Sequence, residues 1–289
     1  MKLLTIDSRE VTGRPGVLLD SGDILDLVAA PSTLSESQWI PHSVVSVIAA
    51  GRNGLERVRQ LVASAEREDR QGLLRNGTLL PYSGTALMAP IRRPGLVLIV
   101  DSHDSGYIKS PNSAVGPGAT VEIPWPDIDR LWGTPLLACV IGRPFFRASE
   151  NEAADAIAGY TLLIDLCSRP PGNADDMNAW RERLDSKQFP GACPIGPAIV
   201  TRDEFDDPAG TEASVRINDV EVGGGPLWAA DGNVGRLLSG LSQRHGFRPG
   251  DLVAFESSAV SACTASKLQP GDRYSVGYPG MIDLEVMIA

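Results

Sequence analysis

The chain has 289 residues, 43% hydrophobic and 21% charged. This excludes a disordered chain and allows one large or two small domains around a sizeable core. Acidic residues outnumber basic ones by 36 to 26, for a net charge of −10; without a Lys/Arg block, nucleic acid and an anionic membrane surface are not expected partners.

MKLLTIDSRE opens the chain without a signal-peptide apolar region, so a cytoplasmic protein is expected. LLTI, GVLLD and DILDLVAA, within residues 1–30, read as strands separated by turns at Gly13–Gly16 and at Ser21–Asp23. Over 53–70, Leu55, Val58, Leu61, Val62 and Ala65 recur at helical spacing and predict an amphipathic helix with a solvated charged face. The segment 87–100 places proline punctuation before an apolar strand, and its run Leu96 to Val100 is far too short to span a membrane. Ser149 and Glu152 form a capping-box pattern for a short helix over 150–160, which leads into the strand TLLIDLC. GNADDMNAWRERLDSKQF reads as a polar loop with a helical turn. Two strands are expected over 195–220, a flexible turn at the GGG of 223–225, a helix over 231–245, and strands after it. With 30 Gly and 22 Pro, roughly 18% of the chain against a usual ~12%, many short strands are favoured over a helix bundle. The order is a small α+β segment at 1–88 and a β-rich body at 89–289.

Four cysteines (Cys139, Cys167, Cys193 and Cys263) lack CxxC spacing, and with three His in the whole chain a zinc site is not expected. No Ser-His-Asp arrangement stands out.

From residue 89 the chain resembles the fumarylacetoacetate hydrolase family. APIRRPGLVLIV (89–100) is similar to that family's P-x-x-P-x-K-I-x-x-V entry strand. YIKSPNSAVGPGATVEIP (107–124) is similar to F-x-K-P-x-S-x-x-x-G-P-x-x-x-I-x-x-P. LLACVIG…EAADAIAGYTLLIDLCSR (136–169) is similar to E-L-A-V-V-I-G…E-A-x-x-x-V-x-G-Y-T-x-x-N-D-x-S-x-R, and KQFPGACPIGPAIVTRDEF (187–205) to K-S-F-D-x-x-x-P-x-G-P-x-x-V-T-x-D-E. The resemblance implies an α+β, β-rich fold with a rolled mixed sheet, a homodimer, and chemistry on 2-oxo, enol or 1,3-diketo acids, normally with Mg²⁺ or Mn²⁺.

The family's metal ligands are two strand glutamates and one aspartate. Their matching positions hold Thr134, Leu136 and Asp165, and one carboxylate is too few for an all-protein site. Neither Mg²⁺ nor Mn²⁺ is therefore expected as a cofactor. Only DSHDSG (101–106) stands where the family carries a lid helix with a histidine, leaving His103 near that place. Of four lysines, Lys109 and Lys187 fall on the family's pocket lysines, while Lys2 and Lys267 do not. The resemblance points to Lys187, Asp165 and His103 for catalysis, and to Lys109, Ser113, Arg169 and Ser257 for substrate binding; Glu256, a new carboxylate where the family has glycine, is a further catalytic candidate or else a solvated strand-end residue. Glu256 and Ser257 lie in FESS, which replaces the family's T-G-T-P turn. Two readings stay open: an enzyme acting on a small acidic or dicarbonyl metabolite without metal, or a non-catalytic relative that binds such a metabolite or serves a structural role.

Overall fold

Short apolar runs broken by turn residues fold as strands in the computed structural model, which describes residues 1–8, 13–34, 42–100, 106–125, 128–168, 185–205, 211–227, 233–256 and 267–289. The chain opens with β1 (Lys2–Ile6), β2 (Arg14–Leu18) and β3 (Asp23–Asp26). The β2–β3 turn passes through Gly22, whose φ of +80° suits glycine. DILDLVAA stops being a strand halfway along. The Asp26 carboxylate accepts the N–H groups of Val28 and Ala29, a local turn that ends the ladder, and Pro31 lies in the first turn of α1 (Ala30–Thr33).

α2 (Val44–Ala49) precedes α3 (Gly51–Ala65), which buries Val58, Leu61 and Ala65 as its spacing predicts. The expected helix over 53–70 is interrupted because Asp69 caps a new one, α4 (Arg70–Arg75), accepting from the N–H groups of Gln71 and Gly72. Then come β4 (Leu79–Pro81), β5 (Leu87–Met88), β6 (Val97–Val100), β7 (Gly106–Lys109), β8 (Ala114–Val115) and β9 (Thr120–Val121). The long strand β10 (Leu131–Ile141) is followed by α5 (Glu150–Asp155), β11 (Ile157–Cys167) and β12 (Cys193–Thr201). α5 carries the reciprocal Ser149–Glu152 capping box.

β13 (Glu212–Ile217) and β14 (Val220–Pro226) form a hairpin that turns at Asn218 and Asp219, both with positive φ. The GGG of 223–225 is thus strand rather than turn. Gly224 lies so close to β13 that a Cβ there would come within 2.4 Å of the Ala213 carbonyl oxygen. The chain ends with α6 (Val234–Ser242), β15 (Leu252–Phe255), β16 (Lys267–Leu268), β17 (Arg273–Gly277) and β18 (Leu284–Ile288). No helix among the described residues is long and apolar enough to cross a membrane.

Among the described residues, thirteen strands form one mixed sheet in the order β4-β3-β2-β1-β12-β11-β10-β15-β6-β7, with β5, β8 and β16 attached to β1, β12 and β10. β1 pairs with β12 through Leu3 and Ile199, so the first strands extend the sheet of the body. A second, five-stranded sheet runs β14-β13-β17-β18-β9. Alternation along the strands sorts the core into two main faces. Leu98, Val100, Leu137 and Ile164 pack with Tyr274 and Val286 of the second sheet. Val97, Ile99, Leu136 and Leu163 pack on the opposite face with Val47 and Leu61 of the helices. The architecture is α+β and β-rich, as the sequence indicates.

Candidate active site

Alternation also places the polar residues of this second face. Lys109 and Tyr107 stand opposite Val97 and Ile99 in the β6–β7 ladder, and Asp165 follows Leu163 two residues along β11. In a flat sheet β7 and β11 would lie four strand spacings apart, roughly 19 Å. Instead, the Lys109 ammonium donates to Asp165 Oδ1 and to the Leu166 carbonyl at 3.3 Å. The sheet is therefore curled upon itself, and the polar cluster lies inside the curl.

Lys187 arrives from the segment before β12. Its ammonium donates to Asp165 Oδ2 and, at 2.7 Å, to the Tyr107 hydroxyl, which in turn donates to Asp165 Oδ2. The ammonium also lies 4.7 Å from the centre of the Tyr107 ring. Gln188 fixes the approach: its side-chain oxygen accepts the Ser110 N–H at 2.7 Å, and its amide nitrogen donates to the Ile108 carbonyl at 3.3 Å. One residue thus clamps β7 beside Lys187.

Lys109, Asp165 and Lys187 are 0%, 2% and 6% exposed, so all three charges are held out of water. Burial pushes the Asp165 carboxyl up, but the two ammoniums and their hydrogen bonds outweigh it and hold the group well below the usual carboxylate range. Within the described ion pairs of this cluster, two ammoniums on one carboxylate leave one positive charge in excess. Tyr107 is partly exposed and borders this charge. An anion entering beside Tyr107 would complete the charge balance and gain charge-assisted hydrogen bonds. Cys193, at the start of β12, is buried and pushed up to about 12 by desolvation, with Lys109 and Asp165 acting in opposite directions. It is a neutral thiol rather than a nucleophile.

Of the residues expected in the site, Lys109, Asp165 and Lys187 come together. Ser113 is buried in a 3₁₀ turn (Pro111–Ser113), with its hydroxyl donating to the Ser110 carbonyl at 2.6 Å. Glu256 directly follows β15, and its N–H donates to the Val100 carbonyl at 2.8 Å. The alternation of Leu252 and Ala254 puts Glu256 on the cluster's face of the sheet. His103, Arg169 and Ser257 lie outside the described residues. Sequence reasoning missed Tyr107 and Gln188. The signal for Tyr107 was a tyrosine in place of the family's phenylalanine, two residues before Lys109 and so on the same strand face. Nothing in the sequence marks Gln188. A cleft of about 800 Å³ between 82–89 and 114–119 holds none of the cluster.

The residues at the family's metal position do not, as arranged, fit a divalent cation. Thr134 faces Asp165 across an unbroken stretch of the β10–β11 ladder running from Trp132 to Val140, and Leu136 is buried among apolar side chains. Asp129, just upstream, sits outside β10, exposed and paired with Arg130, and Asp127 lies outside the described residues. Both Asp165 oxygens are already taken by lysines. Among the described residues no group of three His, Cys, Asp or Glu is placed to hold a metal.

The chain is 26% identical over 258 residues to the oxaloacetate tautomerase YisK of Bacillus subtilis, covering 83% of each chain. A mitochondrial oxaloacetate tautomerase of Xenopus laevis is 26% identical over 277 residues, covering 91% of this chain and 74% of that one. Maleylpyruvate hydrolase from Sphingobium sp. SYK-6 superposes with a TM-score of 0.75 at 21% identity, covering 100% of this chain and 99% of that one. The same hydrolase was solved in complex with manganese(II) ion and pyruvate, and superposes with a TM-score of 0.74 at 20% identity over the same shares. That complex corrects the expectation that Mg²⁺ and Mn²⁺ play no part. A protein of this fold was solved with the ion, and hard cations take much of their shell from water and substrate oxygens. Two missing glutamates therefore do not by themselves remove it. The model of the fumarylacetoacetate (FAA) hydrolase C-terminal domain matches residues 97–289, and the chain belongs to the fumarylacetoacetate hydrolase family.

Proposed function

We propose that the chain is an enzyme acting on a small 2-oxo or enol carboxylate, interconverting its keto and enol forms at the Lys109–Asp165–Lys187 cluster. The observation that carries this reading is the excess positive charge of two buried lysines on one aspartate, bordered by the partly exposed Tyr107. A buried ammonium beside an entering substrate stabilises the negative charge that moves onto oxygen as a carbon-bound proton leaves. Lys187, nearer the edge of the cluster, takes this role, and Lys109 holds Asp165 in place from beneath. Curated relatives named as oxaloacetate tautomerases support the choice of keto–enol transfer over C–C cleavage.

One observation favours a second reading, a protein that binds an acidic metabolite without transforming it: Asp165, the family's catalytic-site carboxylate, has both oxygens engaged. Proton exchange at C3 of oxaloacetate and of pyruvate in D₂O, followed by NMR with and without Mn²⁺, separates the two. The enzyme reading predicts exchange at least about tenfold above buffer, a modest demand beside the ~10²–10⁴-fold that one positioned acid–base group supplies. Oxalate that raises the melting temperature while exchange stays at the buffer rate for both acids would establish the binding protein instead.

A further inference from the structure

We propose that an arginine-lined cleft at the far end of β11 from the lysine cluster binds the phosphoryl group of a small metabolite. This site does not depend on the keto–enol reading above. The antiparallel course of β10, β11 and β12 brings the end of the first, the start of the second and the end of the third to one edge of the sheet. Ile157 stands at that edge, eight residues before Asp165 on β11, roughly 26 Å away at a strand's rise per residue.

Arg143 and Arg202 leave the same edge just after β10 and β12. α3 supplies the facing wall. Its Arg52, Leu55 and Arg59 recur at spacings of three and four and so share one face of the helix. Together with Ile48 and Ile157, these residues line a cleft of about 400 Å³, a size that suits a small ligand.

Charge in this cleft runs against the rest of the chain, which is net acidic by ten charges. Among the described residues, four guanidiniums line it beside two carboxylates, Asp155 and Asp203. Arg59 holds Asp203 at 3.0 Å and the exposed Glu56 at 3.2 Å. Arg143 and Arg202 reach the Asp155 carboxylate only at 3.9 and 3.8 Å, too far for hydrogen bonds. Instead they donate to backbone carbonyls at the end of α5, Arg143 to Asp155 at 2.7 Å and Arg202 to Ala154 at 2.8 Å. Arg143 is thus fixed in place by a neutral group. Arg52 is exposed and forms no ion pair among the described residues.

A phosphoryl group is a compact, nearly dianionic ligand with three acceptor oxygens, and it takes guanidinium forks from several directions at once. A carboxylate offers one plane and one charge. Arginines arriving from α3 and from the strand ends suit the first better than the second.

The test is isothermal titration of the full chain with pyrophosphate, with succinate as the dicarboxylate comparison and oxalate as the probe of the lysine cluster. Pyrophosphate should bind, and more tightly than succinate. Arg52→Gln should weaken it about three- to fivefold, the scale of a half-exposed ion pair. Adding Arg143→Gln should bring the loss to about tenfold or more. Oxalate affinity should stay within about twofold of the parent in both variants. Arg75→Gln, exposed on α4 and outside the cleft, is the control and should change nothing. Pyrophosphate that binds parent, double variant and control equally, or binds none of them, overturns the site. Succinate binding more tightly than pyrophosphate overturns the phosphoryl assignment. A weakened variant whose mass in light scattering also differs from the parent's would assign the arginines to a contact between copies instead. If the double variant does not fold, Arg52→Gln decides alone, and an unchanged affinity there contradicts the proposal.

Discussion

Asp165→Asn should destabilise the fold by roughly 3–5 kcal/mol, the usual cost of removing one partner from a buried ion cluster. The substitution keeps the shape and removes the counter-charge that Lys109 and Lys187 share. Urea unfolding would show it as a large drop in midpoint with little change in slope. Adding Lys109→Met to Asp165→Asn should recover part of the loss, because the wholly buried ammonium then goes as well. The same pairing sets an acid limit. Asp165 is held below its unfolded value of about 3.9. Its contribution is complete above that value and is lost as pH falls through the lower folded one. The parent should therefore lose stability more steeply than the Asn variant as pH drops below about 4. An Asn variant as stable as the parent, with the same acid profile, would mean that the ion cluster does not hold the curl together.

Lys187→Met should weaken binding of small 2-oxo acids and oxalate by about tenfold or more. A charge-assisted hydrogen bond to a desolvated ammonium is worth roughly 1.5–3 kcal/mol, and about 1.4 kcal/mol is a factor of ten. Methionine preserves most of the stem, and the Lys109–Asp165 pair remains, so the variant should fold. Lys267→Met is the control. Lys267 is exposed at the start of β16, opposite Trp132 and away from the matched motifs, where water and salt screen its charge. Isothermal titration with oxalate would read both variants. Equal affinities for the two would remove the lysine cluster from the binding site.

The members of the cluster were more legible in the sequence than its assembly. Lys109 and Lys187 stand out because lysine is scarce here, and Asp165 because its strand keeps the family's aspartate. That one carboxylate takes both lysines follows from the curl of the sheet, which brings β7 onto β11 across three intervening strands. No local pattern records such a curl. Tyr107 is visible only as a hydroxyl added to a motif, and it gains meaning once strand alternation sets it beside Lys109. Thr134 and Leu136 lie in an unbroken ladder, which fixes their register against β11. The inference from two missing glutamates to a chain without metal was not sound, since a hard cation does not need an all-protein shell. Local errors share one cause, side chains that compete with the expected element. Asp26 turns the chain out of a strand, and Asp69 caps a second helix inside an expected single one. At 223–225 the error ran the other way, since glycines that resemble a turn are needed for close strand packing.

A crystal structure of the protein grown with oxalate and Mn²⁺ tests the central claim most directly. The expected result is an oxalate carboxylate within hydrogen-bond distance of Lys187 Nζ and Tyr107 Oη, inside the curl formed by β7 and β11. Oxalate bound elsewhere, with the Lys109–Asp165–Lys187 cluster closed and untouched, would contradict it.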